Sequence, residues 1–176
     1  MAKKSTVAIS DPLPDLPMVS VDRWPKRYVE RSRISKAKYN PRVMDAGGRN
    51  KLNRSLSTFG QVENLIWNQR TGNLVGGHQR LADFDRRMKY PKETPDYQVF
   101  CVVVDLEEKQ EKELNILLNN PSAQGAYDLD GLLQVFKDGA DFQVAGFDLT
   151  DLDLMFDESQ LDFLPTLTDE SEPSSN

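Results

Sequence analysis

The stretch Asn64 to Ala82, NLIWNQRTGNLVGGHQRLA, constrains the fold more than any other part of the chain. Val62 to Asn68 is apolar around Ile66 and Trp67, Thr71-Gly72-Asn73 has hairpin-turn chemistry, and Leu74-Val75 resumes the apolar pattern. Two paired strands are therefore predicted. From Arg80 to Met88, Leu81, Phe84 and Met88 share one helical face, while Asp83, Asp85, Arg86 and Arg87 fall mostly on the other. The segment delivers Gly76-Gly77-His78-Gln79-Arg80 to the start of a helix lying on a sheet. Exposed backbone N–H groups, the helix dipole and a guanidinium meeting there suit an anion, a phosphate above all.

The rest of the chain supplies the elements around this unit. Residues 1–17 carry DPLPDLP and no periodic apolar pattern, and read as a flexible leader. Met18 to Asp22 alternates weakly, as a first strand would. The basic connection between Trp24-Pro25 and Asn40-Pro41 is non-helical at its borders, because Pro restricts the residue before it. Gly47-Gly48 marks a turn. Leu52, Leu56 and Phe59 then recur with helical spacing from about Arg49 to Phe59, and Gly60 stops that helix. Residues 90–97 form a loop, and Gln98 to Val104 is the apolar run of a strand buried on both faces. It holds the single cysteine, Cys101, which is expected as a buried reduced thiol.

A helix follows from about Glu107 to Asn119, with acids at its start and Leu114, Leu117 and Leu118 as its packing side. Asn120-Pro121 ends it. Asp128 is placed to cap a helix running through Leu129 and Phe136 to a stop at Gly139, and a short amphipathic helix covers Leu149 to Phe156. The domain is expected over residues 18–157, followed by an acidic disordered tail over 158–176.

At 176 residues the chain has room for one compact domain. It contains no apolar run long enough to span a bilayer, and the opening MAKKSTVAIS is too short in apolar residues for a signal peptide. A cytosolic protein without a membrane partner is the expectation. The net charge of -6 conceals a division: residues 18–100 hold 17 Lys and Arg against 8 Asp and Glu, whereas residues 101–176 hold 3 against 18. Residues 23–54 are dense enough in Lys and Arg to attract nucleic acid or nucleotide phosphates. The acidic part is equally suited to neutralising that face within the molecule.

Several stretches together resemble the ParB-like nuclease or ParB N-terminal domain family, which shares its fold with sulfiredoxin. Tyr39-Asn40-Pro41-Arg42 resembles an early Asn-Pro-Arg element, LNRSLSTFGQVENLI (52–66) a helix followed by a Gly-initiated strand, and Val75 to Arg80 the family's glycine box. Asn119-Asn120-Pro121 and GFDLTDLDLMF are similar to the members that accompany DNA methyltransferases or occur in phages. The resemblance covers about residues 18–157. It implies an α/β (α+β) fold, a small mixed sheet flanked by helices with a C-terminal helical extension.

In function, the resemblance implies a nucleoside triphosphate, CTP or ATP, held with Mg²⁺, weak NTPase activity, and a place in phage or mobile-element DNA metabolism. Its partners would be DNA through residues 23–54, a DNA methyltransferase or phage packaging protein, and a second copy in a homo-oligomer. Transferred to this chain, Gly76 and Gly77 would allow close backbone approach and Arg80 would bind phosphate, with Arg42 and Gln61 lining the site. The residues themselves add His78 and Gln79 beside Arg80 at the helix start, and Asn119 and Asn120 closing the site from the far helix. His78 and Glu63 are the catalytic candidates, and Glu63 the Mg²⁺ ligand. The downstream Glu-Asn-x-Gln-Arg box of the family is represented only by Leu118-Asn119-Asn120-Pro121-Ser122, which lacks the acid and the arginine. His78 stands where sulfiredoxins carry their nucleophilic cysteine, so thiol chemistry of that kind has no nucleophile here.

Each residue also has a structural reading. His78 fits a hydrogen-bonded loop histidine, Arg80 an ion pair with Asp83, Glu63 an exposed strand face, and Asn119 and Asn120 helix capping. Trp24 and Trp67 fit either base stacking or burial. Three function classes stay open: a nucleotide-binding protein, a Mg²⁺-dependent DNA nuclease in which Glu63, His78 and Asp83 converge, and a non-catalytic adaptor of a DNA-modifying or DNA-packaging enzyme.

Overall fold

The computed structural model describes residues 23–41 and 43–162. The leader, the strand expected at Met18 to Asp22, Arg42 and residues 163–176 lie outside them.

Five strands form one mixed sheet: β1 (Lys26–Glu30), β2 (Ser35–Lys36), β3 (Leu65–Asn68), β4 (Asn73–Gly76) and β5 (Gln98–Val104), in the order β1-β5-β3-β4-β2. β3 and β4 are the predicted antiparallel pair, closed by Gly72, whose positive φ of 76° suits its N–H bond to the Asn68 carbonyl. β5 runs parallel to β3 and antiparallel to β1, and β2 runs parallel to β4. The α/β class with a small mixed sheet is as expected, but β1 and β2 lie inside the basic connection between Trp24-Pro25 and Asn40-Pro41, where no strand is predicted. β1 keeps only Val29 buried, so its sequence shows no apolar face of its own.

Alternation divides the sheet's side chains between two layers. Leu65, Trp67, Cys101 and Val103 join Val29, Val99 and Leu81 in a core beneath α2 (His78–Arg87). Ile66, Asn68 and Val75 face the other way, toward α3 (Glu108–Leu118), whose Asn115 donates to the Val75 carbonyl at 2.8 Å. Cys101 is buried as expected, and burial pushes its thiol pKa up to about 12.

α1 (Ala46–Phe59) begins earlier than the glycine pair suggested. Asp45 caps it by accepting from the Gly48 N–H at 2.7 Å, so Gly47 and Gly48 form its first turn rather than a separate one. α3 corrects a second expectation, because its fully buried residues are Glu111 and Asn115, whereas Leu117 is exposed. α4 (Leu129–Lys137) and α5 (Leu149–Met155) supply the C-terminal helical extension. They build a second apolar cluster from Leu133, Phe136, Phe142, Leu152 and Phe156. Lys51 of α1 reaches this unit through ion pairs with Asp148 and Asp151. A 3-10 turn, Glu158–Gln160, follows in the described part of the segment assigned to the tail.

Candidate anion site at the start of α2

β4 ends at Gly76, and Gly77 turns the chain into α2 with a left-handed φ of 90°. Backbone conformation and packing both favour glycine at 77, and close packing favours it at 76. A Cβ on Gly77 would stand 3.0 Å from Leu65 Cγ, and one on Gly76 would stand 3.1 Å from Leu118 Cδ1. Leu81, fully buried one turn into α2, anchors the helix on the sheet and so fixes where its first N–H groups point. Among the described residues no side chain caps that first turn.

A cavity of about 510 Å³ opens beside it. Its walls are the first turn of α2, the Glu63-Asn64 loop, Leu52 of α1, Asn40 and Met44, and the Leu118-Asn119 end of α3 with Gln124. Of the residues singled out from sequence, Glu63, Gly76, Gly77, His78, Gln79, Arg80 and Asn119 all line it. Gln61 does not: its amide donates to the Phe100 carbonyl at 3.2 Å, which ties it to β5. Asn120 is a capping residue, accepting from the Ser122 N–H at 3.1 Å.

Two charged groups set the character of the cavity. Arg80 pairs with Glu63, not with Asp83. Asp83 is buried on another side of α2, held by Arg86 and Arg87, so the convergence of Glu63, His78 and Asp83 required for a nuclease centre does not occur. His78 has a buried Nε2 with no hydrogen-bond partner among the described residues. Burial, and secondarily the charge of Lys36, lowers its pKa from the ordinary 6.5, which keeps the ring neutral at pH 7. No group of three or more His, Cys, Asp or Glu side chains placed to hold a metal ion occurs among the described residues.

Two buried polar residues of α3 behind the cavity, Asn115 and Glu111, escaped the sequence reading. Asn115 donates to the Val75 carbonyl and, at 3.4 Å, to Asn40 Oδ1, while its own Oδ1 is buried without a partner among the described residues. Its place at i−4 from Asn119, whose amide bonds the Asn115 carbonyl at 2.8 Å, was the available signal. Glu111 lies one turn further back. Its carboxylate accepts from Tyr39, Thr71, Asn68 at 2.5 Å and Asn73 at 2.9 Å, tying the 37–41 segment to the sheet.

Part of the basic charge expected to face nucleic acid is used internally. Arg31 is buried in a bidentate pair with Asp85 at 2.6 and 2.9 Å, Arg33 pairs with Glu30, and Lys51 with the acids of α5. No helix among the described residues is long and apolar enough to cross a membrane.

No protein-family model matches the sequence, and no curated protein matches it. The solved structures that resemble the chain in fold include two of ParB proteins. One is a C-terminally truncated chromosome-partitioning protein ParB from Caulobacter crescentus complexed with CTP-γ-S, at 17% identity and a TM-score of 0.49 over 64% of this chain. The other is a Pnob8-like ParB-N domain, at 19% identity and a TM-score of 0.43 over 65% of this chain. The chain spans 61% and 44% of the length of these two structures.

Proposed function

We propose that this protein binds a nucleoside triphosphate in the cavity at the start of α2, with the phosphates on the first turn and on Arg80 and the nucleoside toward Asn119. The observation that carries the reading is the conjunction of an uncapped helix start, set by the left-handed Gly77, with Arg80 on the wall of one 510 Å³ cavity. That volume lies within the range of small-molecule sites, roughly 300–1,000 Å³. The helix start supplies N–H donors and a favourable dipole, and the guanidinium a bidentate fork.

Binding, rather than turnover, is what these groups favour. His78 Nε2 is enclosed, and before a ligand enters Glu63 is engaged by Arg80, so in the free protein neither is presented to activate a water. A resident Mg²⁺ does not fit the residues present, since among the described residues Glu63 is the one carboxylate on the cavity wall and it is held by Arg80. Mg²⁺ arriving with a triphosphate belongs to the ligand. The mobile-element setting and a DNA-modifying or packaging partner rest on the sequence resemblance and are part of the same proposal.

A thermal-shift panel with CTP, ATP, GTP and UTP, with and without Mg²⁺, tests it on the wild type and on Arg80→Ala. A ligand at a hundred times its Kd adds about 2.7 kcal/mol of stability. Stabilisation by a triphosphate that is lost in Arg80→Ala supports the site. A cooperative melt unmoved by all four nucleotides overturns it.

A further inference from the structure

We infer that β1 is a self-pairing edge through which two copies of this chain join their sheets across a two-fold axis. β1 is a terminal strand of the sheet, and among the described residues only β5 pairs with it. The opposite edge, β2, is blunted by being two residues long, whereas β1 offers five.

The register decides which backbone groups face outward. Val103 N–H donates to the Pro25 carbonyl and Arg31 N–H to the Tyr97 carbonyl, so the odd-numbered positions of this strand bond β5. In an antiparallel ladder the alternate residues, Lys26, Tyr28 and Glu30, direct their N–H and C=O groups to the open side. Antiparallel pairing of β1 with a second copy, centred on Tyr28, makes these same residues hydrogen-bonded pairs: Tyr28 with Tyr28 of the second copy, and Lys26 with Glu30 of the second copy, twice.

The side chains complement one another in that register. Lys26 stands opposite Glu30 of the second copy on both sides of the axis, an attractive cross-strand arrangement. The Lys26 ammonium carries three donors, so it can serve that carboxylate in addition to bonds within its own chain. Tyr28 is 65% exposed and packs edge-to-face on Phe100 at 5.1 Å, so pairing extends this into a four-ring row across the joined sheets. A parallel pairing would instead set like charges side by side. Two five-residue strands make a contact below the roughly 1,200–2,000 Å² of stable interfaces, so the dimer is weak and concentration-dependent.

Sedimentation equilibrium of the full chain over a wide concentration range tests this. Lys26→Glu and Glu30→Lys should each raise the dimer Kd roughly tenfold, because two attractive pairs become repulsive. An equimolar mixture of these two variants should associate as well as the wild type, and so should the double variant carrying both changes. Tyr28→Pro, which removes an outward N–H and none of those bonded to β5, should abolish association while the protein still melts cooperatively. A wild type that stays monomeric at every concentration, or a dimer indifferent to the charge reversals, overturns the inference.

Discussion

Arg80 and Glu63 form an ion pair on the wall of the cavity at the start of α2, so the guanidinium suited to a phosphate already holds a carboxylate. The Glu63 side chain is 68% exposed against 25% for Arg80, which makes the acid the easier partner to return to water. An entering phosphate therefore exchanges one anion for another on Arg80. Glu63→Gln removes the competing charge and should tighten triphosphate binding about 2- to 5-fold, the range expected for losing one exposed pair of 0.5–1 kcal/mol. Titration calorimetry on the two proteins decides it, and equal affinities would mean that the pair does not compete with the ligand.

The glycine box should behave as a packing feature as well as a binding one. Gly77→Ala must hold an L residue at φ 90° and bring its Cβ to 3.0 Å from Leu65 Cγ. Gly76→Ala meets only the end of Leu118 at 3.1 Å, at an ordinary φ. Urea unfolding should show Gly77→Ala destabilised by about 1–3 kcal/mol and Gly76→Ala by less. The reverse order would contradict the geometry.

Glu111 is completely buried, and four neutral donors surround its carboxylate. Burial raises its pKa, but the hydrogen bonds from Thr71, Tyr39, Asn73 and Asn68 outweigh it and hold the group below its ordinary 4.5. Asp85 follows the same pattern, with burial overcome by Arg31 and Tyr97. The unfolded chain therefore binds these protons more readily, so the stabilisation is complete above the ordinary carboxylate values and is lost as pH falls through the lowered ones. Glu111→Leu should cost about 3 kcal/mol or more at pH 7, because it strands four donors. Glu111→Gln should cost less and flatten the acid limb of a pH-stability curve; an unchanged acid limb would show that folding leaves the Glu111 pKa where the unfolded chain has it.

The parts legible in sequence are those where local chemistry and packing agree. β3, the turn at Gly72, β4, α2 and β5 could be read because apolar periodicity and glycine punctuation coincide with burial. β1 was not legible, since Lys26, Arg27, Tyr28 and Glu30 are exposed and the strand exists through its ladder with β5. Glu111 and Asn115 escaped because acids and amides on a helix read as a solvated face, and only the sheet opposite shows which donors they meet. The site itself was mostly legible, because it follows from the turn into α2. Gln61, offered on resemblance, and Asn120, offered from its place at the end of α3, have backbone partners elsewhere.

His78 is the only histidine in the chain, so one proton-NMR resonance reports its titration without ambiguity. Burial and then Lys36 lower its pKa from 6.5, and the unfolded chain binds that proton more readily. The associated stability is fully present above pH 6.5 and is lost as pH falls through the lowered value. The free protein should accordingly show a midpoint below 6.5, and His78→Asn should lose less stability than the wild type between pH 7 and pH 5.5. A bound triphosphate places negative charge at the same helix start and opposes Lys36, so saturation with nucleotide should raise the midpoint and make binding take up a fraction of a proton near pH 6. A midpoint at or above 6.5 without ligand would overturn the burial of the ring, and one that ignores a bound triphosphate would put the phosphates away from His78 and away from the start of α2.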